Sequence, residues 1–180
     1  MPPIRSKHQE PDPSQPPQLR RDILAYLASH NVMTIASCDG NVPWAAAVFY
    51  ASDEFDLYFF SNPKSRHGGN MAANALVSAA IHEDYSDWRA IRGIQLEGRA
   101  ERLRSLKLQA RFWEVYLRKF PFVKQFFGGE GPGGGGTAGI ADLLKAKLAG
   151  VKLYRIVPRT LYYIDNSRGF GHREKLDLAR

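Results

Sequence analysis

The amino-acid sequence predicts a mainly β fold of the α+β class, an antiparallel meander or Greek-key barrel with peripheral helices. Apolar runs rich in β-branched and aromatic residues recur along the chain. Short turns join these runs, so no connection holds the crossover helix that a parallel sheet requires. The first two runs are joined by Asp39-Gly40-Asn41, a combination typical of a tight hairpin.

The predicted elements follow one another in a simple order. A helix over residues 20–30 buries a stripe of Ile23, Leu24 and Leu27. A second helix over residues 105–120 has an apolar face made of Leu106, Phe112, Trp113, Tyr116, Leu117 and Phe120. Pro158 is expected in the turn between the last two strands. The predicted strands cover residues 32–38, 42–50, 57–60, 76–81, 91–103, 151–157 and 161–165.

The chain divides into a tail and one domain. Residues 1–17 alternate proline with polar residues and have no apolar face, which predicts a disordered tail. Residues 18–180 form the single predicted domain. Within it, the glycine-rich stretch 128–139 lacks the Gly-Lys-Ser/Thr ending of a phosphate-binding P-loop. It is interpreted as a flexible connector to a short helix over residues 140–149, with a mobile lid as the alternative.

Composition limits the classes of function. The 180 residues carry a net charge of +7, but lysine and arginine are scattered, which disfavours nucleic acid as a partner. The single cysteine, Cys38, excludes a disulfide framework and has no Cys or His at metal-ligand spacing. No basic–apolar leader and no apolar run near 18 residues is present, so a cytoplasmic location without membrane insertion is expected.

The segment from Leu57 to His67 is the strongest functional signal. An apolar strand breaks at Asn62-Pro63, and a helix then begins whose first turn carries Ser65, Arg66 and His67. The start of a helix favours an anion through its unpaired N–H groups and its dipole, and arginine matches phosphate geometry. A bound phosphate group is therefore the functional interpretation. The alternative is an ordinary turn with a capping serine and a solvated arginine.

The order of these segments resembles the pyridoxamine 5′-phosphate oxidase-related family of FMN-binding split barrels. The ending Tyr-Ile-Asp-Asn-Ser-Arg-Gly-Phe-Gly-His, residues 163–172, is similar to that of the YhbP-type branch of this family. The resemblance covers about residues 19–175. It implies a six-stranded antiparallel Greek-key split barrel and a homodimer that holds an FMN in each groove between the protomers.

The resemblance also implies which residues hold the cofactor. The phosphate would lie against the segment that contains Phe60, Ser61, Asn62, Ser65, Arg66 and His67. In this segment His67 stands in the place of a lysine of the oxidase. An unperturbed histidine is mostly uncharged at neutral pH, so this exchange weakens the charge offered to phosphate. The isoalloxazine ring would lie along Ala46, Ala47 and Val48, although alanines packed against a helix are an equal alternative.

Later strands and the C-terminal region would contribute contacts to the cofactor across the dimer interface. Arg92 and Gln95 are candidates, while Gly93 occupies the place of a glutamine that touches FMN in the oxidase. Phe170 and His172, next to Gly169 and Gly171, would reach the partner's flavin, with a plain chain end as the alternative. Trp88 is expected to cap the barrel rather than stack on a ring.

The resemblance does not extend to the oxidase's substrate site. The oxidase holds its substrate phosphate with a Tyr-x-x-x-Arg-Pro segment, and the matching arginine is Phe120 here. No catalytic residue and no metal site is assigned. Three hypotheses follow: an FMN-dependent oxidoreductase of unknown substrate and electron donor, a non-catalytic flavin or haem carrier with His172 as haem ligand, and, weakest, a nucleic-acid-binding barrel. A deazaflavin could replace FMN.

Overall fold

The computed structural model describes residues 17–123 and 150–178. Predictions for residues 1–16, the glycine-rich stretch 128–139 and the helix 140–149 lie outside these ranges. Within them, the helices and strands follow in the order α1 Pro17–Ser29, β1 Val32–Asp39, β2 Val42–Phe49, β3 Ala51–Asp53, β4 Asp56–Ser61, α2 Arg66–Ala73, β5 Leu76–His82, β6 Arg92–Arg102, α3 Leu106–Lys119, β7 Lys152–Asp165 and β8 Arg173–Asp177. None of the helices in these ranges is both long and apolar enough to cross a bilayer.

The strands form one antiparallel sheet that curls into a half-barrel. Their order is β2-β1-β5-β6-β7-β4-β3, and β8 adds to β7. The predicted fold class is therefore confirmed. The sheet contains eight strands rather than six, because β3 and β8 extend it at positions where the sequence analysis expected no separate strands.

The hairpin between β1 and β2 forms as predicted. Asp39 pairs with Val42, which leaves Gly40 and Asn41 as the two turn residues. Both have positive φ angles, 55° for Gly40 and 66° for Asn41. Glycine and asparagine tolerate this left-handed region better than other residues, and two such angles suit the twist of a tight hairpin.

Tyr50 turns the chain from one side of the half-barrel to the other. β2 pairs with β1, whereas β3, which begins at the next residue, pairs with β4. The Tyr50 N–H donates to the Asn31 carbonyl at 3.0 Å, and its hydroxyl donates to the Leu27 carbonyl at 2.9 Å. These bonds hold a fully buried side chain at the corner. The result is a split between β2 and β4.

The prediction of two strands near the C-terminus, separated by a turn at Pro158, is wrong. β7 is a single strand in which Pro158 pairs with Gly98 of β6, beside a shift of register between Glu97 and Gly98. A Cβ atom at Gly98 would overlap the Val157 carbonyl oxygen and lie 2.8 Å from the Pro158 Cα. The bulge and the missing side chain let β6 accept a proline that cannot donate a ladder hydrogen bond.

Two apolar clusters hold the helices to the sheet. α1 begins at Pro17, a favourable first residue, and buries Ile23 and Leu27 completely against the barrel interior, with Leu24 at the margin. On the outside, α3 packs on Tyr58 and Ala51 of the sheet through its buried residues Phe112, Val115 and Tyr116, and Phe120, just after the helix, joins the same cluster. The prediction that Leu106 belongs to this apolar face is wrong, because it is the first residue of α3 and is 83% exposed.

Candidate functional site

β2 and β4 contact each other without pairing, and α2 packs against β2 beside this split; the split and the start of α2 together are named the α2 groove. β2 is the terminal strand of the sheet order, so within the described chain one of its edges pairs with no other strand. Backbone groups on that edge remain available to a ligand. α2 packs against both β1 and β2, and four residues separate its start from the end of β4. The groove thus combines an unpaired strand edge with the start of a helix.

A tight turn positions the first residues of α2. The Asn62 side chain accepts a hydrogen bond from the Lys64 N–H at 2.9 Å, and its carbonyl accepts one from the Ser65 N–H at 3.0 Å. Ser65 caps the helix by accepting from the Gly68 N–H at 3.2 Å. The predicted strand–turn–helix is therefore present. The first turn of α2 contains no acidic residue that would repel an anion.

His67 lies in a small hydroxyl cluster beneath this helix start. Its Nε2 is 2.5 Å from the Ser61 Oγ and 3.2 Å from the Ser65 Oγ. The Ser65 hydroxyl donates its own proton to the Asn62 carbonyl at 2.6 Å, so it accepts from His67. Desolvation by burial lowers the pKa of His67 below its ordinary value of 6.5. His67 therefore contributes hydrogen bonds at neutral pH rather than a positive charge.

Arg66 provides the positive charge at the site. It is exposed, and its guanidinium lies over the Trp44 ring, 4.5 Å from the ring centre. The guanidinium forms no ion pair with any residue in the described ranges. A stacked arginine without a carboxylate partner, next to unpaired helix N–H groups, is suited to bind an anion.

Three further residues shape this site and were not predicted from the sequence. Trp44 orients Arg66 by lying under its guanidinium. The sequence pattern that could have indicated this residue is a tryptophan directly before a run of three alanines. A Cβ atom at Gly68 would lie 2.7 Å from the Asn62 oxygen, so only glycine lets the turn approach the helix this closely. The buried Asn70 side chain donates to the Ser37 hydroxyl at 3.2 Å, which ties α2 to β1.

The predicted ring-binding residues lie on β2 with different exposures, and Phe60 of the predicted phosphate segment lies on β4. Ala46 and Val48 are half-buried, and Val48 packs against the barrel core, whereas Ala47 is exposed. Ala47 is therefore not covered by a helix of the described chain, which argues against helix packing as its role. Phe60 is half-buried, and its ring packs on Tyr116 of α3 at 5.2 Å.

The remaining predicted residues lie together near the C-terminal end of β7, apart from Gln95. Arg92 donates from Nε to the Asp165 carboxylate at 3.3 Å, and this carboxylate raises the pKa of Arg92. The backbone N–H of Asp165 donates to the His172 carbonyl at 3.1 Å. The His172 Nε2 is buried, makes no hydrogen bond and lies 3.5 Å from Glu174. Gln95 is exposed on β6 opposite Tyr162.

Asn166 fixes two exposed aromatic residues in this region. Its side chain donates to the Trp88 carbonyl at 2.8 Å and accepts from the Gly171 N–H at 3.1 Å. Phe170, 84% exposed, meets the Trp88 ring at 5.4 Å in an edge-to-face arrangement. Trp88 is itself 50% exposed and belongs to neither core cluster, so the expectation that it caps the barrel is wrong.

The two groups of predicted residues do not meet within one chain. None of the hydrogen bonds, ion pairs or ring contacts of Arg92, Gln95, Phe170 and His172 reaches residues 60–67 of the described structure. The first group surrounds the start of α2. The second group, apart from Gln95, lies around Asp165 at the end of β7, whereas Ser61 of the first group pairs with Lys152 at the start of β7.

A separate open pocket of about 680 Å³ lies between α1 and the segment that joins β5 to β6. On its wall, the His30 Nε2 lies 3.0 Å from the Glu83 carboxylate, and the Tyr26 hydroxyl donates to the Arg92 carbonyl at 2.9 Å. Arg92 is the one predicted site residue among those that line it. Across residues 17–123 and 150–178, no group of three or more His, Cys, Asp or Glu is placed to hold a metal ion.

Comparison of the structure with solved structures shows the same fold in distant proteins. A pyridoxamine 5′-phosphate oxidase-like protein of Listeria innocua is 20% identical, with a TM-score of 0.59 over 82% of this chain and 98% of that one. A haem-binding protein of Mycobacterium smegmatis is 19% identical, with a TM-score of 0.67 over 91% of this chain and 59% of that one. At these identities the likeness supports the split-barrel fold alone.

Sequence comparison identifies the family. The model of the pyridoxamine 5′-phosphate oxidase family matches residues 19–132. A UPF0306 protein of Photorhabdus laumondii is 34% identical over 101 residues, which are 53% of this chain and 68% of the relative. The UPF0306 protein YhbP of Salmonella paratyphi B is 27% identical over 150 residues, 82% of this chain and 86% of the relative. The chain therefore belongs to the pyridoxamine 5′-phosphate oxidase-related family, in the branch that contains the YhbP-type UPF0306 proteins.

Proposed function

We propose that this protein binds FMN and is an oxidoreductase whose substrate and electron donor differ from those of pyridoxamine 5′-phosphate oxidase. The unpaired, stacked Arg66 at the start of α2 is the observation that supports the proposal best. Arg66 lies beside the open edge of β2, so the site offers a positive charge at one end and a flat surface along the strand. An elongated ligand with an anionic end and a planar end would match both. FMN has this shape, with a phosphate at one end and a planar ring system at the other.

The residues at the start of α2 have complementary roles in phosphate binding. Arg66 supplies the charge, the N–H groups of the first helical turn supply donors, and the Ser61 hydroxyl can turn to a phosphate oxygen. Ser65 and Gly68 shape the turn that presents these donors. Since His67 stays neutral, the affinity depends mainly on Arg66 and on the helix.

β2 provides the surface for the flat end of the ligand. The exposed Ala45 and Ala47 carry no bulk, so a ring can approach the backbone of an edge strand and bond with its N–H and C=O groups. When bound, the flavin would supply hydride and electron transfer, and the protein would supply its position and surroundings. A deazaflavin would meet the same surface and phosphate group.

A homodimer would complete the site. Arg92, Gln95, Phe170 and His172 do not reach the α2 groove of their own chain, so they belong to the proposed site only if a partner supplies them. Exposed apolar side chains on the β1–β2 hairpin and on β5 include Val42, Trp44 and Leu76. Burial of such surface would hold the dimer together without the cofactor. We therefore expect a dimer on size-exclusion chromatography of the apoprotein.

The test is a fluorescence titration of the apoprotein with FMN. Arg66→Ala should weaken binding by about 1–3 kcal/mol, roughly 5- to 150-fold, because the charge-assisted bonds to phosphate are lost. Arg20→Ala is the matched control, since Arg20 also lies over an aromatic ring, Phe55, at 4.8 Å but on α1. Equal affinity of the wild type and the Arg66→Ala variant would reject this phosphate site.

Haem binding is the second candidate, and one observation favours it. Within the described residues the His172 Nε2 makes no hydrogen bond, although it lies 3.5 Å from the Glu174 carboxylate, and an imidazole nitrogen of this kind can serve as a metal ligand. A structural neighbour from Mycobacterium smegmatis is a haem-binding protein. Haemin addition would then produce a Soret band that is retained after desalting and shifts in His172→Ala. FMN retention without haemin retention would reject this candidate.

A further inference from the structure

The Ser61 hydroxyl is buried at the end of β4, directly before the turn that leads to α2. Ser61 is 8% exposed. Its Oγ lies 2.5 Å from the His67 Nε2 and 3.4 Å from the Ser65 Oγ, and within the described residues its side chain has no other polar partner. The directions of these hydrogen bonds decide whether Ser61 offers a ligand a proton or a lone pair.

The Ser65 hydroxyl has no proton to give to this cluster. Its own proton goes to the Asn62 carbonyl at 2.6 Å, because a carbonyl oxygen can only accept. Its Oγ accepts from the Gly68 N–H at 3.2 Å, which leaves one lone pair for His67, also 3.2 Å away. The contact between His67 and Ser65 is therefore a hydrogen bond only if the His67 Nε2 carries a proton.

The cluster thus favours the Nε2–H tautomer of His67. With the proton on Nε2 the imidazole donates to both serine oxygens, whereas the other tautomer would set two lone pairs against each other at Ser65. Burial lowers the pKa of His67, and no charged residue in the described ranges adds to this shift, so the ring is neutral near pH 7.

This arrangement leaves the proton of Ser61 without an acceptor. The Ser61 oxygen accepts from His67, and both lone pairs of Ser65 are already used by Gly68 and His67. Within residues 17–123 and 150–178 no other acceptor contacts this hydroxyl. A buried donor without a partner is unfavourable, and an oxygen atom of a bound ligand would satisfy it.

The other polar groups at the start of α2 are donors as well. The Arg66 guanidinium and the N–H groups of the first helical turn can only donate, and that turn contains no acidic residue. A fully ionised phosphate monoester presents acceptor oxygens alone, whereas its protonated form carries an O–H group that needs an acceptor. The donor set therefore matches the dianion.

We propose that His67 is a positioning residue that donates to Ser61 and turns the Ser61 proton toward the ligand, so that the α2 groove selects a fully ionised phosphate monoester. This rests on the proposed function, in which the groove holds the phosphate of FMN. His67 acts here through the direction of a hydrogen bond, and Arg66 supplies the charge.

The first test compares FMN with riboflavin, which lacks the phosphate, in fluorescence titrations of the full-length apoprotein. Ser61→Ala should raise the dissociation constant of FMN roughly 10- to 150-fold, because a hydrogen bond to a charged group is lost, and should not change that of riboflavin. Ser52→Ala is the control, since Ser52 is a half-buried serine of the neighbouring β3, and it should change neither constant. Circular dichroism checks the fold of each variant.

Variants of His67 separate its positioning role from a packing role. His67→Phe removes the N–H donor and should raise the dissociation constant of FMN roughly 2- to 12-fold, with almost no further effect in the Ser61→Ala background. His67→Gln keeps an N–H donor and should restore most of the affinity. In the apoprotein, 15N NMR should show the proton of His67 on Nε2, with the signal assigned by its loss in His67→Gln.

The pH dependence separates hydrogen-bond direction from charge. A free phosphate monoester takes up its second proton at a pKa of about 6. If the groove selects the dianion, the affinity for FMN is complete well above this pH and falls roughly tenfold for each pH unit below it, while the affinity for riboflavin stays level.

Three results would overturn the proposal. The first is an affinity for FMN that rises toward acid pH, which would make His67 a charged ligand. The second is a His67 proton on Nδ1. The third is an equal effect of His67→Phe with and without Ser61→Ala. A wild type that binds no FMN would instead reject the proposed function, and the NMR measurement on the apoprotein would still decide the direction of the hydrogen bond.

Discussion

The guanidinium of Arg66 lies 4.5 Å from the centre of the Trp44 ring, so a residue at the start of α2 rests on a residue of β2. Twenty-two positions along the chain separate the two, as their numbers show. The contact fixes a long, flexible side chain at the open end of the groove. This order reduces the entropy that Arg66 would lose when it binds an anion.

Trp44→Leu should therefore weaken FMN binding while leaving Arg66 in place. A cation–π contact at an exposed site contributes about 0.5–1 kcal/mol, which corresponds to roughly a 2- to 5-fold change in the dissociation constant. A double-mutant cycle checks the cause. In the Arg66→Ala background, Trp44→Leu should have almost no further effect. Equal losses in both backgrounds would show that Trp44 acts independently of Arg66.

His67 should make the stability of the protein depend on pH. Burial lowers its pKa below 6.5, so the unfolded chain binds the proton more readily than the folded chain does. The stabilisation is therefore complete above pH 6.5 and is lost as the pH falls through the lowered pKa. In urea unfolding between pH 5 and pH 7.5, the free energy of unfolding should fall more steeply with decreasing pH for the wild type than for His67→Gln. If the unfolding free energies of the two proteins changed in parallel with pH, the lowered pKa of His67 would not be the cause.

Gly68 and Gly69, adjacent in α2, should respond to alanine in opposite ways. A Cβ atom at Gly68 would lie 2.7 Å from the Asn62 oxygen and 2.9 Å from the Pro63 Cα, whereas at Gly69 it would meet nothing within 4 Å. Gly68→Ala should destabilise the protein by about 1–3 kcal/mol through overpacking. Gly69→Ala should stabilise it by about 0.5–1 kcal/mol through helix propensity. Denaturant unfolding of both variants measures these changes.

Pyridoxamine 5′-phosphate should not be oxidised, although the chain belongs to the oxidase-related family. By its resemblance to the oxidase, the sequence has Phe120 in the place of the substrate-phosphate arginine, and this phenylalanine is 4% exposed among Phe49, Tyr116 and Phe122. An apolar side chain leaves the substrate phosphate without a charged partner there. Chromatography of reactions with FMN-loaded protein should detect no pyridoxal 5′-phosphate above the protein-free background. Clear enzyme-dependent formation of this product would contradict the prediction.

Local chemistry explains what could be predicted from the sequence. The hairpin depends on two adjacent residues that accept positive φ, and the start of α2 depends on a serine cap placed after Asn62-Pro63. The missed features depend on distant residues. Pro158 sits within a strand because Gly98, sixty positions earlier, leaves room for it. β8 was missed because its mostly polar sequence buries only Leu176 within the strand.

The site shows the same division between local and distant effects. Residues 60–67 are consecutive, so their common location at the end of β4 and the start of α2 was predictable. The contact of Arg66 with Trp44 and the isolation of Arg92 from this site depend on how the sheet curls. No periodicity in the sequence encodes that curvature, because it arises from strand order and register across the whole chain.

The length of β7 has a consequence for how this protein folds. β7 pairs with β4, β6 and β8, and its Arg155 bonds to Asp56, which lies 99 positions earlier. β4 pairs early with β3, but its other edge has no partner until β7, in the last third of the chain, has left the ribosome. Such a high contact order predicts slow folding, with the edges of β4 and β6 exposed to aggregation in the meantime. We therefore expect the strand that completes the barrel to limit its folding rate as well.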